Sequence, residues 1–396
     1  MPIQQQKIDG FLLKLQMLLA TVMVVAQTLG LDNLTSYVFL ATFPLTVVLW
    51  LRTIRQRITV LDLLMVFTIA LAGLNVLINA SLTAAGLGFT YIKKLIIFSV
   101  TIMFLQTANR LRVQADVVRF IHRLVDLLVG YLIVIFFVLN VKVYDIGGRV
   151  SAYLTFNMDN PNLTALFLSC LYMLELYRLF TPAKWYIKLL HVGMAVFVAV
   201  FVVMTQSRNC MMVLILFTII CAWLIFKGKG TKTLGPVKSA LIAVFPGLFI
   251  GGYFLMVNLP ALRSRFDFLV SEGKGLDSRD RIWGPALEDL MSSPVVGAYN
   301  QISNGTGVSQ MHNTHLDVAC SYGIPVLILV CVLLWFYLHQ GGRRYVSKAS
   351  YIYMLAFACA IILGIGEAAL FSGGLGLYIF VGSLLLLSGY TEEAVE

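Results

Sequence analysis

Charged residues are scarce in this 396-residue chain, where Asp, Glu, Lys and Arg together make up 12%. Soluble domains carry about twice that fraction, so a surface bathed in water on all sides is excluded. Histidine is scarcer still, with five residues in all. The six cysteines (Cys170, Cys210, Cys221, Cys320, Cys331 and Cys359) show no metal-ligand spacing, and none lies well inside a polar loop. A cysteine metal site and a disulfide framework are therefore not implied, and small buried hydrophobes is the better reading. Heptads, low-complexity tracts and internal repeats are lacking too, which argues against a coiled coil or a repeat array.

What is abundant is apolar. Hydrophobic residues make up 59% of the chain, and the mean hydropathy is +0.88. Apolar runs recur at roughly 11–29, 34–51, 60–78, 89–107, 124–140, 162–180, 189–205, 209–226, 239–257, 316–338, 350–369 and 374–390. The expected fold is an all-α polytopic membrane protein of about twelve transmembrane helices, with residues 1–396 forming a single membrane domain. The first run is too long for a signal-peptide core and lacks a small-residue cleavage site, so it reads as a retained span.

A net charge of +10 would fit nucleic acid if the cations shared one surface. They do not. On this topology 19 of the 29 Lys and Arg lie with the two termini and 10 on the opposite side. The positive-inside rule then places both termini in the cytoplasm, and the basicity is topological. Two segments on the other side are long. Residues 141–162 are Gly-rich and end in Asn160-Pro161-Asn162; residues 258–315, between the ninth and tenth spans, form the largest loop. Within it Trp283, Leu287, Leu290 and Met291 make an apolar stripe at helical spacing. Because Pro285 suits a first turn, the predicted helix begins near Ile282 and lies flat on the membrane with Trp283 among the headgroups.

Arginines on the non-cytoplasmic side run against the topological preference. Arg208 follows Thr205-Gln206-Ser207 at a tight external turn; it either snorkels to headgroup phosphates or faces an anionic substrate group. Arg279 precedes the loop helix and would make a phosphate site with its N-terminus, or pair with Asp277 or Asp280. Arg281, Arg263 and Arg265 are weaker candidates for the same role. His312 and His315 would share a helical face, with Asp317 close by, and could act as a general base, a structural pair or a metal pair. Third ligands at metal spacing are lacking. Glu367, in Gly364-Ile365-Gly366-Glu367, is an ionisable group at the end of a span. Glu175 reads as the partner of Arg178 one turn on.

External arginines that hold a diphosphate, a histidine that takes a proton from a hydroxyl, and an apolar scaffold with room for a lipid fit one chemistry. That chemistry is transfer of a sugar from a lipid diphosphate. At this point the chain resembles the bacterial O-antigen ligase and O-antigen polymerase superfamily of membrane glycosyltransferases. His312-Asn313, nine residues, then Gly323 is similar to the family's element at the end of its large loop, although Val326 stands where a small or aromatic residue is usual. Arg279 to Trp283, with Pro294 and Gly297, resembles its Arg-x3-Trp…Pro-x2-Gly segment, a spacing that selects Arg279 over Arg281. Thr205 to Arg208 and Asn160-Pro161-Asn162 resemble two further elements. The likeness covers residues 141 to 390; the first third matches in hydropathy alone.

The resemblance implies an undecaprenyl-diphosphate-linked oligosaccharide donor, with no cofactor and no metal, in the bacterial inner membrane. It implies His312 as catalytic base and Arg208 and Arg279 on the diphosphate. Arg281, Asn313, His315, Asp317 and Glu367 stand beside these as accessory candidates, and His315 is not part of the family element. The acceptor would be a second lipid-linked glycan in a polymerase, or lipid A core in a ligase. Asn160-Pro161-Asn162 and Tyr322-Gly323-Ile324 favour the polymerase of a surface polysaccharide, which would work with a flippase and a chain-length regulator. The rivals from other classes are a twelve-span secondary transporter, whose repeated halves and central charged path are not evident, and a non-catalytic assembly scaffold.

Overall fold

The computed structural model describes residues 3–29, 31–82, 89–135, 145–146, 149–150, 161–180, 183–227, 234–259, 277–298, 311–343, 348–372 and 376–390. Their order is α1 (Ile3–Thr28), α2 (Asp32–Ile54), α3 (Val60–Leu82), α4 (Phe89–Arg110), α5 (Ala115–Ile133), α6 (Pro161–Leu176), α7 (Trp185–Met204), α8 (Arg208–Lys227) and α9 (Pro236–Asn258), followed by α10 (Asp277–Ser292), α11 (Thr314–Tyr322), α12 (Ile324–Arg343), α13 (Lys348–Leu363), α14 (Ala369–Ser372) and α15 (Leu377–Ser388). A 3-10 turn at Tyr177–Phe180 follows α6, and Asp145–Ile146 pairs antiparallel with Arg149–Val150. Among the described residues eight helices are long and apolar enough to cross a membrane, and α12, α13 and α15 each contain a shorter apolar helix. The chain is a polytopic, helical membrane protein. Asn160 lies outside the described residues, as do Arg263 and Arg265.

Helix suits these runs because apolar surroundings offer the backbone no water, so each N–H and C=O must find its partner within the segment. Hydroxyls in the interior obey the same rule. Thr101 donates to the Ile97 carbonyl at 2.7 Å, Ser169 to Ala165 at 2.7 Å and Ser383 to Ile379 at 2.6 Å. Each is satisfied one turn back on its own helix, so it can pack among Leu and Phe; Ser383 also reaches Met17 Sδ at 2.9 Å. Helices α6, α13 and α15 are buried almost throughout, while α7, α8 and α9 turn much of their surface outward.

Two stretches depart from their sequence reading. Helix α5 begins at Ala115, well before residue 124, because its apolar residues (Val117, Ile121, Leu124, Val125 and Leu128) fall on one buried face while Asp116, Arg119 and Arg123 occupy the other. The stretch 316–338 divides into α11 and α12 at Gly323, whose φ of +88° breaks the helix.

Glu175 also differs. It does not pair with Arg178; its Oε2 lies 2.9 Å from Nδ1 of His191, while Arg178 binds Asp126 at 2.6 Å. The 3-10 turn after α6 carries Arg178 out of the i+3 register that a continuous helix would give. Ligand atoms of Asp126, Glu175 and His191 lie within 4.8 Å of one another. Arg178 already supplies positive charge there through its bond to Asp126.

Candidate functional site

The site is assembled around one residue in an unusual backbone conformation. His312 has φ +49°, the left-handed region that costs a non-glycine residue roughly 1–3 kcal/mol. Its neighbours hold it there. The Met311 N–H donates to Asp317 Oδ1 at 3.2 Å, and the Met311 carbonyl accepts from Trp283 Nε1 at 2.8 Å. On the other side Asn313 caps α11, its Oδ1 accepting from the N–H groups of His315 and Leu316, both at 3.0 Å. The Asn313 amide then donates to the carbonyls of Pro246 and Ile365 at 3.1 and 3.2 Å. One side chain thus satisfies two orphan helix donors and ties α11 to α9 and to the turn beyond α13.

That turn supplies the partner. Glu367 is 2% exposed, and its Oε2 lies 2.9 Å from Nδ1 of His312, whose side chain is 24% exposed. With Glu367 as a carboxylate, which can only accept, the pair would place a proton on Nδ1 and leave the lone pair of a neutral ring on Nε2. Two glycines let Glu367 reach this place. A Cβ on Gly364 would stand 2.7 Å from Thr314 Oγ1, and one on Gly366 would stand 2.8 Å from Asn209 Nδ2. Thr314 fastens the turn by donating from Oγ1 to the Glu367 carbonyl at 3.0 Å and from its N–H to Gly364 at 2.8 Å. Asn209 donates to the Leu363 carbonyl at 2.9 Å. It follows Arg208, so the α7–α8 turn lies against the Glu367 turn. Arg208 is exposed at the first residue of α8, after a left-handed Gln206 (φ +54°), and makes no ion pair among the described residues.

The two histidines do not share a face. His312 precedes the N-cap, outside the helix, whereas His315 lies within α11 and is 2% exposed. His315 Nε2 donates to the Ala243 carbonyl of α9 at 2.7 Å, and its Nδ1 has no partner among the described residues. Protonating Nδ1 would bury an unpaired charge, so this ring is a neutral tie between helices. Gly247 makes room for it: a Cβ there would lie 3.4 Å from His315 Cδ2. Asp317 is also committed, with Lys94 Nζ 3.7 Å from its Oδ1.

The loop helix corrects the sequence reading. Helix α10 starts at Asp277 and carries Pro285 inside it. Trp283 is 2% exposed and packs against Tyr253 and Phe249, with ring centroids 5.1 and 6.2 Å away. It is covered by protein rather than turned out toward lipid. Its N–H needs an acceptor when buried, and Met311 provides one. The buried stripe is Trp283, Ala286 and Leu290, with Leu287 partly buried and Met291 turned outward. Periodicity identified an apolar face without revealing that α9 and α11 would cover it. Arg279 and Arg281 fall in the first two turns of α10; their side chains lie outside the described residues.

Beyond α10 two glycines meet. Gly297 and Gly323 both have positive φ, +85° and +88°. A Cβ on Gly323 would come within 2.0 Å of the Val295 carbonyl oxygen, and one on Gly297 within 2.6 Å of that of Cys320. Ala298 N–H donates to Cys320 at 3.0 Å, and Ile324 N–H to Pro294 at 2.8 Å. Two residues missed in the sequence complete this junction. Asn75 donates its amide to the carbonyls of Val295 (3.0 Å) and Tyr322 (2.6 Å), and Asn79 to Val296 (2.7 Å). Their signal was visible as two amides four residues apart in the otherwise apolar stretch 69–80 of α3.

A scan against protein-family models finds no match, and a search of curated proteins finds none. The chemistry has to be read from the residues themselves. They bring together a paired histidine and carboxylate and, through Asn209, the turn that carries Arg208.

Proposed function

We propose that this chain is a bacterial inner-membrane glycosyltransferase that transfers undecaprenyl-diphosphate-linked glycan to a second lipid-linked repeat unit, as an O-antigen polymerase does. In this reading it has twelve spans, both termini face the cytoplasm, and residues 258–315 face away from it. The observation that carries the proposal is the His312–Glu367 pair, held beside the Arg208 turn.

His312 Nε2 takes the proton of an acceptor hydroxyl. The hydroxyl oxygen forms a bond to the donor's anomeric carbon, the bond from that carbon to the diphosphate oxygen breaks, and the lipid diphosphate leaves with the electron pair. Glu367 keeps Nε2 basic by holding the proton on Nδ1, and it stabilises the imidazolium that forms. Arg208 and Arg279 neutralise the departing diphosphate. A diphosphate close to His312 would favour the protonated ring, so the arginines also help to keep the base neutral.

The test is a membrane assay with a lipid-linked repeat unit and no lipid A core. Growth in chain length that disappears in His312→Ala, with donor still bound, supports the polymerase. Transfer only when lipid A core is added turns the reading to the ligase. Full transfer by His312→Ala removes the histidine from the chemistry.

A further inference from the structure

We propose that the cleft between α1 and α5, at the end of the bundle where both helices begin, binds the phosphate headgroup of an anionic phospholipid. The two helices run in parallel. Lys14 is bonded to Asp116 near one end of their contact, and Thr28 to Tyr131 near the other. These ties stand about 21 Å apart along α1 at the usual helical rise. Beside the first tie opens a cleft of about 350 Å³ lined by Lys14, Asp116, Arg119, Phe120 and Arg123.

Three cations and one anion leave the cleft with a net double positive charge. Asp116 is already taken by Lys14. Arg119 is oriented by a bond from its Nε to the Ala115 carbonyl at 3.3 Å. Arg119 and Arg123 are both exposed, and neither makes an ion pair among the described residues. They stand four residues apart on one helix, where like charges repel, so an anion held between them relieves a conflict built into α5.

The side chains next along each helix, outside the cleft, point to the anion's source. One turn beyond Lys14 on α1 comes Leu18, 42% exposed, and one turn beyond Arg123 on α5 comes Leu127, 68% exposed. A basic lip followed directly by outward-facing apolar side chains on two parallel helices matches a molecule with a phosphate at one end and acyl chains at the other. Free phosphate would use only the lip. The inference does not depend on the glycosyltransferase reading.

The test uses the full chain purified in a neutral detergent and titrated separately with phosphatidylglycerol, phosphatidylcholine and inorganic phosphate, with bound lipid counted by native mass spectrometry. Phosphatidylglycerol should bind about thirtyfold more tightly than phosphatidylcholine, as expected for two arginines near a phosphate, and the preference should shrink as salt rises. The double variant R119Q/R123Q should lose the preference, while R55Q/R57Q, at the same end but outside the cleft, should keep it. Leu127→Asn should weaken phosphatidylglycerol and leave inorganic phosphate unchanged. The proposal is overturned if the two lipids bind equally, if R119Q/R123Q keeps the preference, or if inorganic phosphate competes as well as the lipid. The salt series on the unaltered protein decides the matter if the double variant does not fold.

Discussion

Asparagine holds one end of the bundle and ion pairs hold the other. Around His312, the amides of Asn75, Asn79, Asn209 and Asn313 all donate to backbone carbonyls in turns or at helix ends. Where α1 begins and α2 and α4 end, the ties are between charges: Asp9 with Arg52, and Asp62 with Arg110, supported by Gln106 and Thr59. A neutral amide fixes a loop without placing a net charge beside it. At the site end Arg208 is exposed and makes no ion pair among the described residues, whereas at the other end the charges neutralise one another and lock helices together. His312 with Glu367 at 2.9 Å and Lys94 with Asp317 at 3.7 Å are the pairs of the site end.

The largest effect expected from this division is on catalysis alone. His312→Ala should lower glycan transfer by about 10²–10⁴-fold with protein yield unchanged. His312→Gly should be equally inactive yet melt higher than His312→Ala, because glycine accepts φ +49° without strain while both variants lose the ring that faces the buried Glu367. A glycine variant that melts no higher than the alanine one would show that the backbone at 312 stores no strain.

The second effect is on stability alone. Arg110→Ala leaves the Asp62 carboxylate, 1% exposed, without its cation. It should cost about 3–5 kcal/mol, the usual penalty for breaking a buried pair, while transfer per folded molecule is unchanged. Thermal unfolding in detergent, set beside the transfer assay, measures both. If transfer falls in proportion to stability, the two ends are not separate in function.

Asn75→Leu should lie between these extremes. It removes two bonds that fasten Val295 and Tyr322, about 1–3 kcal/mol when the carbonyls stay buried, and it should also reduce transfer because Gly297 and Gly323 lose their clamp. Equal melting and equal activity would mean that the glycine junction holds without α3. The smallest change is expected at His315. His315→Gln keeps an N–H donor for the Ala243 carbonyl, so transfer should stay within about threefold and stability within about 1 kcal/mol. A loss as deep as that of His312→Ala would move the chemistry one helical turn.

The sequence made the helices legible because apolar runs of this length leave the backbone few alternatives. It also made most of the polar cast legible: His312, Asn313, Glu367 and Arg208 stood out as charges or amides where few occur. Partnerships were harder. Glu175 has Arg178 three residues away, and local spacing suggested a pair that tertiary packing replaced with His191. Trp283 carries the signature of an interfacial ring, and what decides its place is an acceptor on Met311, many residues later. The meeting of Gly297 with Gly323 has no local signature, since a glycine's need for close approach depends on what approaches.

The clamp at those two glycines also bears on how this molecule can vary. Ala298 is fastened to Cys320, and Met311 to Trp283 and Asp317, so residues 299–310 leave from one anchored point and arrive at another. Each doubling in length of a flexible connection costs only about 0.6 kcal/mol. Residues added between these anchors would leave His312 and Glu367 in register, because the bonds that hold the pair lie outside the added length. On the proposed reading, chain length there can vary while the proton-transfer pair stays fixed.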